Sequence, residues 1–393
     1  ALIRFADYYR TAHTIAVYTL TPDPDKGVVR VKLEMSGVNP GRILLLAPET
    51  GLVEGTLPAA GDAVDDPLRP QAAPSLWWAM ADEDGRLRFE YEVSVQRIDA
   101  RHALLAGDRI FAVPLHSDDP DELYGDNADR RPAGAASRIH IRFDLPRLWD
   151  AYTPWGEAYP AIDVPGARFA RLRASIIALG DYLPRRIYAA GAEIELVTRS
   201  ADPAREDEIE ALIEECLTAH AEFVGPSPHP YMLVIADHPF RGNQAAGRTS
   251  INVAYIDLSS DPRALHYPST LRVVAHELFH LWNGGAIDLD PDELRWFAEG
   301  VTEYYALRAL AVSGRLTLRE FTDQLAVTLD RLDGNPWADS SLVALGHGYG
   351  LDPRAWTATY AKGALAAWAL DLRLWRDGGL DAVMRPMVQS GLT

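Results

Sequence analysis

Residues 273–285, VVAHELFHLWNGG, place two imidazoles four positions apart with a carboxylate directly after the first. In a helix four residues make about one turn, so His276 and His280 share a face and can converge on one cation. Leu271, Val274, Ala275, Leu278, Leu281 and Trp282 keep helical spacing and mark one apolar face, and Val273, His276, Glu277 and His280 form a second line. The pattern predicts a helix buried nearly all round and ended by Gly284-Gly285. Two core histidines satisfied by hydrogen bonds would give the same spacing. A metal site needs a third ligand from elsewhere in the chain.

Residues 290–314, DPDELRWFAEGVTEYYALRALAVSG, offer one. Asp290 as N-cap, Pro291 at the first helical position and Glu293 closing a capping box predict where a helix starts, and Ser313-Gly314 where it ends. Glu299 then lies mid-helix beside Trp296, Phe297 and Ala298, where an unpaired carboxylate is costly. Its burial makes sense if it meets a cation. His276, His280 and Glu299 are the two-histidine, one-glutamate set of catalytic zinc sites, which leave a fourth position open. Thr302 and Glu303, one turn past Glu299, are expected to partner a histidine N–H.

HELFHLWN and WFAEGVTEYY, with eighteen residues between His280 and Glu299, resemble the glycyl aminopeptidases, metallopeptidase family sixty-one, in the aminopeptidase N branch of zinc peptidases. TATYAKGALAAWALDLRL resembles that branch's Tyr-x-Lys-Gly helix and stands at a similar distance downstream. The resemblance covers about residues 230–375; ALLAGDRIFAVPL is the best local match before that. It implies one zinc ion held by His276, His280 and Glu299, with peptides as substrates. It further implies Glu277 as the base that carries a proton from water to the leaving amine, and Tyr360 as the hydroxyl that stabilises an oxyanion. The activity it implies is that of an aminopeptidase.

The sequence departs from the family in RGNQAAGRTS, where Ala245 and Ala246 stand in the place of an acidic residue and a histidine, the acidic one being expected to hold a substrate amine. Arg248 follows and is expected to line the cleft. GGAIDLD after HLWN replaces a basic segment. These departures keep open an endopeptidase of the same zinc class; an inactive relative that binds peptides is a separate alternative, whose mark would be loss of a ligand, the base or the tyrosine, and all five positions are present. Many relatives end in a PDZ domain, whereas this sequence stops at Thr393.

The elements around these motifs read as α+β. Up to residue 165, GVVRVKLEM, RLRFEYEVSV and IHIRFDL alternate at period two between turn clusters such as TPDPDKG and ADEDGR, predicting an all-β domain over 1–165. RFARLRASIIALG, RRIYAAGAEIELVTR and YMLVIAD read as strands, with DEIEALIEECLTAHAEF a helix before the third. RTSINVAYIDLSS reads as one more strand, through Ile251, Val253 and Tyr255. Mainly helical sequence follows from Ser269. Residues 166–393 are thus expected to form a thermolysin-like catalytic domain, a mixed sheet followed by helices.

Composition narrows the remaining classes. A net charge of −18 argues against nucleic acid, whose phosphates need clustered Lys and Arg. No apolar run approaches the ~18 residues of a membrane span. Cys216 is the one cysteine, so no intrachain disulfide forms, and it reads as a packed small residue. The acidic segment HSDDPDELYGDNADRRPAGA lacks the spacing of an EF-hand and reads as a solvated loop. His347, in GHGYG, reads as a turn histidine, and no Gly-x-Ser-x-Gly elbow occurs. The compartment is open between cytoplasm and export after leader removal, and so is the oligomeric state.

Overall fold

The computed structural model describes residues 14–38, 40–46, 76–95, 97–114, 136–167, 169–199, 202–227, 231–240, 245–250, 252–284, 287 and 293–390. It divides into two compact units, Ala1–Tyr182 and Leu183–Thr393. The acidic segment 116–135, Ile251, Gly285, Asp290 and Pro291 lie outside the described residues.

The first unit is built of β1 (Ile15–Asp23), β2 (Val28–Ser36), β3 (Gly41–Leu46), β4 (Leu76–Ala81), β5 (Arg86–Ser94), β6 (His102–Ala106), β7 (Val113–Pro114), β8 (Arg138–Phe143), β9 (Asp150–Thr153), β10 (Gly156–Glu157), β11 (Ala161–Asp163) and β12 (Ile176–Gly180). They form sheets ordered β11-β8-β1-β2-β5, β10-β9-β12-β6 and β4-β3-β7. Alternation sends Tyr18, Leu20, Leu33, Phe89, Tyr91 and Ile141 into one core, as the period-two pattern requires. Its buried tyrosines keep their hydroxyls paired: Tyr18 donates to the Ala112 carbonyl (2.7 Å) and Tyr91 to that of Ile110 (2.8 Å).

The expected boundary at 165/166 moves to 182/183. RFARLRASIIALG is a short helix, Phe169–Arg173, followed by β12. Both edges of β12 are paired inside the first unit, one to β6 and the other to β9. Phe169, Leu172, Ile177 and Leu179 belong to that unit's core. A short apolar run does not announce its partners, and here they precede it in the chain.

The second unit holds one mixed sheet, β13-β14-β15-β17-β16. β13 (Leu183–Ala189) and β14 (Ala192–Thr198) make a hairpin, so RRIYAAGAEIELVTR is two strands. Helix α1 (Pro203–Val224) crosses from β14 to the parallel strand β15 (Tyr231–Phe240), the connection that parallel pairing demands. Asp202 caps it, its side chain accepting from the Ala204 N–H at 3.1 Å, and Pro203 occupies the first turn. Cys216 is buried in α1, and burial pushes its thiol up to about 12, so it remains a packed thiol.

RTSINVAYIDLSS is also a hairpin: β16 (Ala245–Ser250) turns through Asn252, in the left-handed region that asparagine tolerates, into β17 (Val253–Ser259). β15 and β17 run parallel, and β16 closes the sheet as an antiparallel edge. Gly247 lies opposite Ile256 and Thr249 opposite Ala254. Ile256 and Ala254 belong to the core shared with the helices, so positions 247 and 249 face that side.

Helix α2 (Pro268–Phe279) packs on this face. It ends about one turn before the glycines that the sequence marks, and Leu281 and Trp282 follow in tight turns with both side chains buried. The Trp282 indole N–H reaches the Gly225 carbonyl at 3.1 Å, tying the end of α2 to the end of α1. α3 (Thr302–Val312), α4 (Leu318–Asp330), α5 (Leu342–Gly348), α6 (Pro353–Leu374) and α7 (Asp381–Ser390) complete the unit. Among the described residues no helix is long and apolar enough to cross a membrane. His347 is an exposed residue of α5, begun by the Ser341 cap, and not a turn residue.

Candidate metal centre

The expected second helix is interrupted. Phe297–Val301 form a π-helical turn before α3, and Glu299 sits in it, 8% exposed. Such turns arise where one extra residue widens the helix, and they concentrate at functional sites. Here the widened carbonyls have a partner. The buried Asn283 amide donates to the carbonyls of Phe297 (2.9 Å) and Ala298 (3.2 Å) and lies 3.0 Å from the Thr302 hydroxyl. That hydroxyl in turn donates to the Ala298 carbonyl at 2.6 Å. Thr302 therefore closes the π-turn, and it does not partner a histidine as expected from its position.

The three sequence-predicted ligands converge. His276 Nε2 and His280 Nε2 lie 3.1 Å apart, and Glu299 Oε2 is 3.4 Å from the first and 3.5 Å from the second. Donor atoms about 2.1 Å from a tetrahedral zinc would be roughly 3.4 Å apart, so the triangle has the dimensions of a zinc cradle. The outer nitrogens fix the tautomers. The Asn283 carbonyl can only accept, so His280 Nδ1 carries the proton donated to it at 3.0 Å. His276 Nδ1 donates to Glu303 Oε2 at 3.1 Å. A cation that displaces any proton from Nε2 would meet both lone pairs there.

Glu303, 1% exposed, is the histidine partner that the sequence suggested. Its other oxygen meets Arg272, with Arg331 3.8 Å away. Burial would raise this carboxyl, but the charge of Arg272 and the bond from His276 outweigh it and hold the group down at about 2. Burial also opposes a charge on His276, yet its contacts with Glu299 and Glu303 push the imidazole up to about 10. Two buried carboxylates facing one imidazole favour positive charge at this spot, the electrostatic condition for holding a metal ion. Arg295 stands 3.7 Å from Glu299 Oε1 and lies over the Tyr349 ring.

Glu277 follows the first ligand and is 8% exposed. Two residues of the edge strand hold it. The Thr249 hydroxyl lies 2.9 Å from Glu277 Oε2 and 2.7 Å from the Glu277 carbonyl. Gly247 is in such close contact that a Cβ there would lie 2.2 Å from Glu277 Cγ. Arg248, between them, is directed by strand alternation to the opposite face of the sheet, where its register partner is Tyr255. Arg248, expected to line the cleft, thus does not share the face of β16 that meets Glu277.

Tyr360, on α6, stacks on His276 with ring centroids 5.5 Å apart and packs against the half-exposed Trp356. Its hydroxyl is 3.3 Å from that of Tyr349. Burial, then the charge of Glu299, raises the phenol far above its ordinary value, so it stays a hydrogen-bond donor at any physiological pH. Lys362 points elsewhere and donates to the carbonyls of Ala338 (2.8 Å) and Ser340 (2.7 Å), pinning the segment before α5. α6 approaches the π-turn closely because Gly300 meets Gly363: a Cβ at 300 would lie 2.3 Å from Gly363 Cα. Asn283, Thr249 and Gly247 all stand inside stretches quoted above, HELFHLWN and RGNQAAGRTS, yet none carries a spacing that marks it for a role.

The comparisons agree with this architecture. A family model described as M61 glycyl aminopeptidase matches residues 269–365, under half of the chain. Its span takes in both histidines, Glu277, Glu299 and Tyr360. No curated protein matches the chain. An aminopeptidase N family protein from Idiomarina loihiensis is similar in structure, with TM-score 0.71 and 18% identity over 95% of this chain and 70% of its own. Yeast LTA4 hydrolase in complex with bestatin superposes with TM-score 0.61 and 13% identity, covering 100% of this chain and 63% of its own. An M1 zinc metallopeptidase from Deinococcus radiodurans gives TM-score 0.56 and 18% identity over 98% of this chain and 88% of its own. The fold is that of two-domain peptidases of this kind, and the glycyl aminopeptidase resemblance stands over the helical part.

Proposed function

We propose that the protein is a zinc-dependent peptidase, acting as an aminopeptidase, with one ion held by His276, His280 and Glu299. One observation carries the reading: three donor atoms 3.1–3.5 Å apart with a buried carboxylate, Glu277, on the residue beside the first. Zinc in such a site makes a water acidic enough to lose its proton near neutral pH and polarises a carbonyl. Glu277 takes that proton and returns it to the leaving amine. The Tyr360 O–H donates to the oxygen that gains charge as the carbonyl becomes tetrahedral; one such donor contributes about 2.7–4 kcal/mol to lowering a barrier. Glu303 and the Asn283 carbonyl keep both imidazoles turned inward. β16 is the edge of its sheet among the described strands, so an extended peptide can pair with it through the backbone.

Residues 245–250, AAGRTS, carry no carboxylate to receive a substrate amine. This favours a second reading, an endopeptidase of the same zinc class. Cleavage of one short peptide, with its N-terminus free or acetylated and with or without a chelator, tests both. Chelator-sensitive cleavage of the free form alone is the expected result. Equal cleavage of the acetylated form would transfer the proposal to internal bonds. A protein that binds zinc stoichiometrically yet cleaves neither form would be a peptide-binding relative, and the peptidase reading would be withdrawn.

A further inference from the structure

A general base is useful only if its carboxylate is held in one place, because proton transfer has a reach of about 3 Å. Glu277 is flexible at its end. Its neighbours on α2 are ligands and apolar residues, so the helix itself supplies no hydrogen-bond donor to its side chain. What holds it comes from β16. The Thr249 hydroxyl has one proton and two acceptors within reach, Glu277 Oε2 at 2.9 Å and the Glu277 carbonyl at 2.7 Å. Gly247, two residues earlier on the same face, has no side chain, and its Cα occupies the space beside Glu277 Cγ, Cδ and Oε1, each of which a Cβ would approach to 2.2–2.7 Å. The two residues bracket the carboxylate.

We propose that β16 is the positioning element of the catalytic base: Thr249 fixes Oε2, Gly247 fixes the plane of the group, and Oε1 is the oxygen that exchanges the proton. This rests on reading the site as hydrolytic. The proton passes from water to Oε1 and then from Oε1 to the leaving nitrogen, so Thr249 Oγ1 never needs to lose its own. Thr249 and Gly247 are thus positioning residues that act through Glu277, and they touch neither substrate nor metal ligand in this role.

The test compares Thr249→Val, which keeps the shape and removes the hydroxyl, with Thr249→Ser, which keeps the hydroxyl, and with Gly247→Ala. Zinc affinity is measured by competition with a chromophoric chelator, kcat and KM on a peptide that the wild type cleaves, and crystal structures of wild type and Thr249→Val are determined. Expected are a fall in kcat of tenfold or more in Thr249→Val and Gly247→Ala, KM and zinc affinity within twofold, and Thr249→Ser within threefold of wild type. A Thr249→Val enzyme with kcat within twofold overturns the proposal. So does equal loss in zinc affinity or KM, which marks a merely structural residue. If the wild type binds zinc but hydrolyses no peptide, the functional reading fails by itself. The crystal structures then decide: an unmoved Glu277 carboxylate in Thr249→Val refutes the positioning role, and a displaced one upholds it.

Discussion

Gly300 and Gly363 meet where the turn that carries Glu299 crosses the helix that carries Tyr360. A methyl added at position 300 would lie 2.3 Å from Gly363 Cα, 2.5 Å from Gly363 C and 2.7 Å from Ala364 N. These are backbone atoms, which no rotamer change can move aside. Ordinary contact begins near 3.4 Å, so Gly300→Ala must separate the two elements by about 1 Å. Overpacking of this kind costs about 1–3 kcal/mol, and a backbone clash belongs at the top of that range. For a unit of this size the unfolding midpoint should fall by roughly 6–12 °C. Tyr360 lies one turn before Gly363 and Glu299 directly before Gly300, so the same shift parts the phenol from the ligand. Misplacement of about 1 Å costs on the order of 10²-fold in rate. Scanning fluorimetry and peptide hydrolysis read the two effects, with Gly350→Ala as control because a Cβ there has nothing within 4 Å. A Gly300→Ala protein within 2 °C and threefold of wild type would show that the crossing is soft and the reasoning wrong.

Three further outcomes follow from the geometry. Glu303→Gln removes the charge that turns His276 inward and leaves Arg272 beside a neutral group, so zinc affinity should fall about 10–100-fold in chelator competition; unchanged affinity would remove Glu303 from the site. Tyr360→Phe should lower kcat about 10²–10³-fold with KM little altered; a raised KM with kcat unchanged would assign the hydroxyl to ground-state binding. His220 is buried and neutral, its Nε2–H donating to the Ala275 carbonyl at 3.0 Å, and burial holds it down at about 3 against an ordinary 6.5. The unfolded chain therefore binds a proton below about pH 6.5 that the folded chain refuses until about 3. Stability is flat above 6.5 on this account and falls by up to about 1.4 kcal/mol per pH unit below it. Denaturant titrations of His220→Phe at pH 4.5–6.5 should show a flatter dependence than wild type, and an identical slope would acquit His220.

The ligands were legible because their spacing is a local matter: four residues on a helix fix two imidazoles one turn apart in any fold that keeps the helix. Glu299 was legible because a carboxylate among Trp296, Phe297 and Ala298 demands a partner. Glu303 followed from it by the same periodicity. The contacts that aim these groups were not legible, since each depends on how distant elements meet. Thr249 reaches Glu277 only because β16 pairs with β17 in one register; a slip of one residue would present Arg248 instead. The π-turn has no residue signature of its own and exists because Asn283 satisfies its carbonyls. The unit boundary was misjudged for the same reason, β12 being defined by partners on both sides that its sequence does not name.

The three donors come from two pieces of chain, the end of α2 and the π-turn before α3, joined by Asn283. An unfolded polypeptide offers no such triangle, so zinc bound at the proposed site would favour the native state. At a free concentration a thousandfold above the dissociation constant it would add about 4 kcal/mol, comparable to a large part of a domain's stability. Quality control would then read the metal before any substrate does. A chain without the ion would open more often than a loaded one. On the proposed reading, the side chains that would serve the reaction would also tie the stability of the fold to zinc supply.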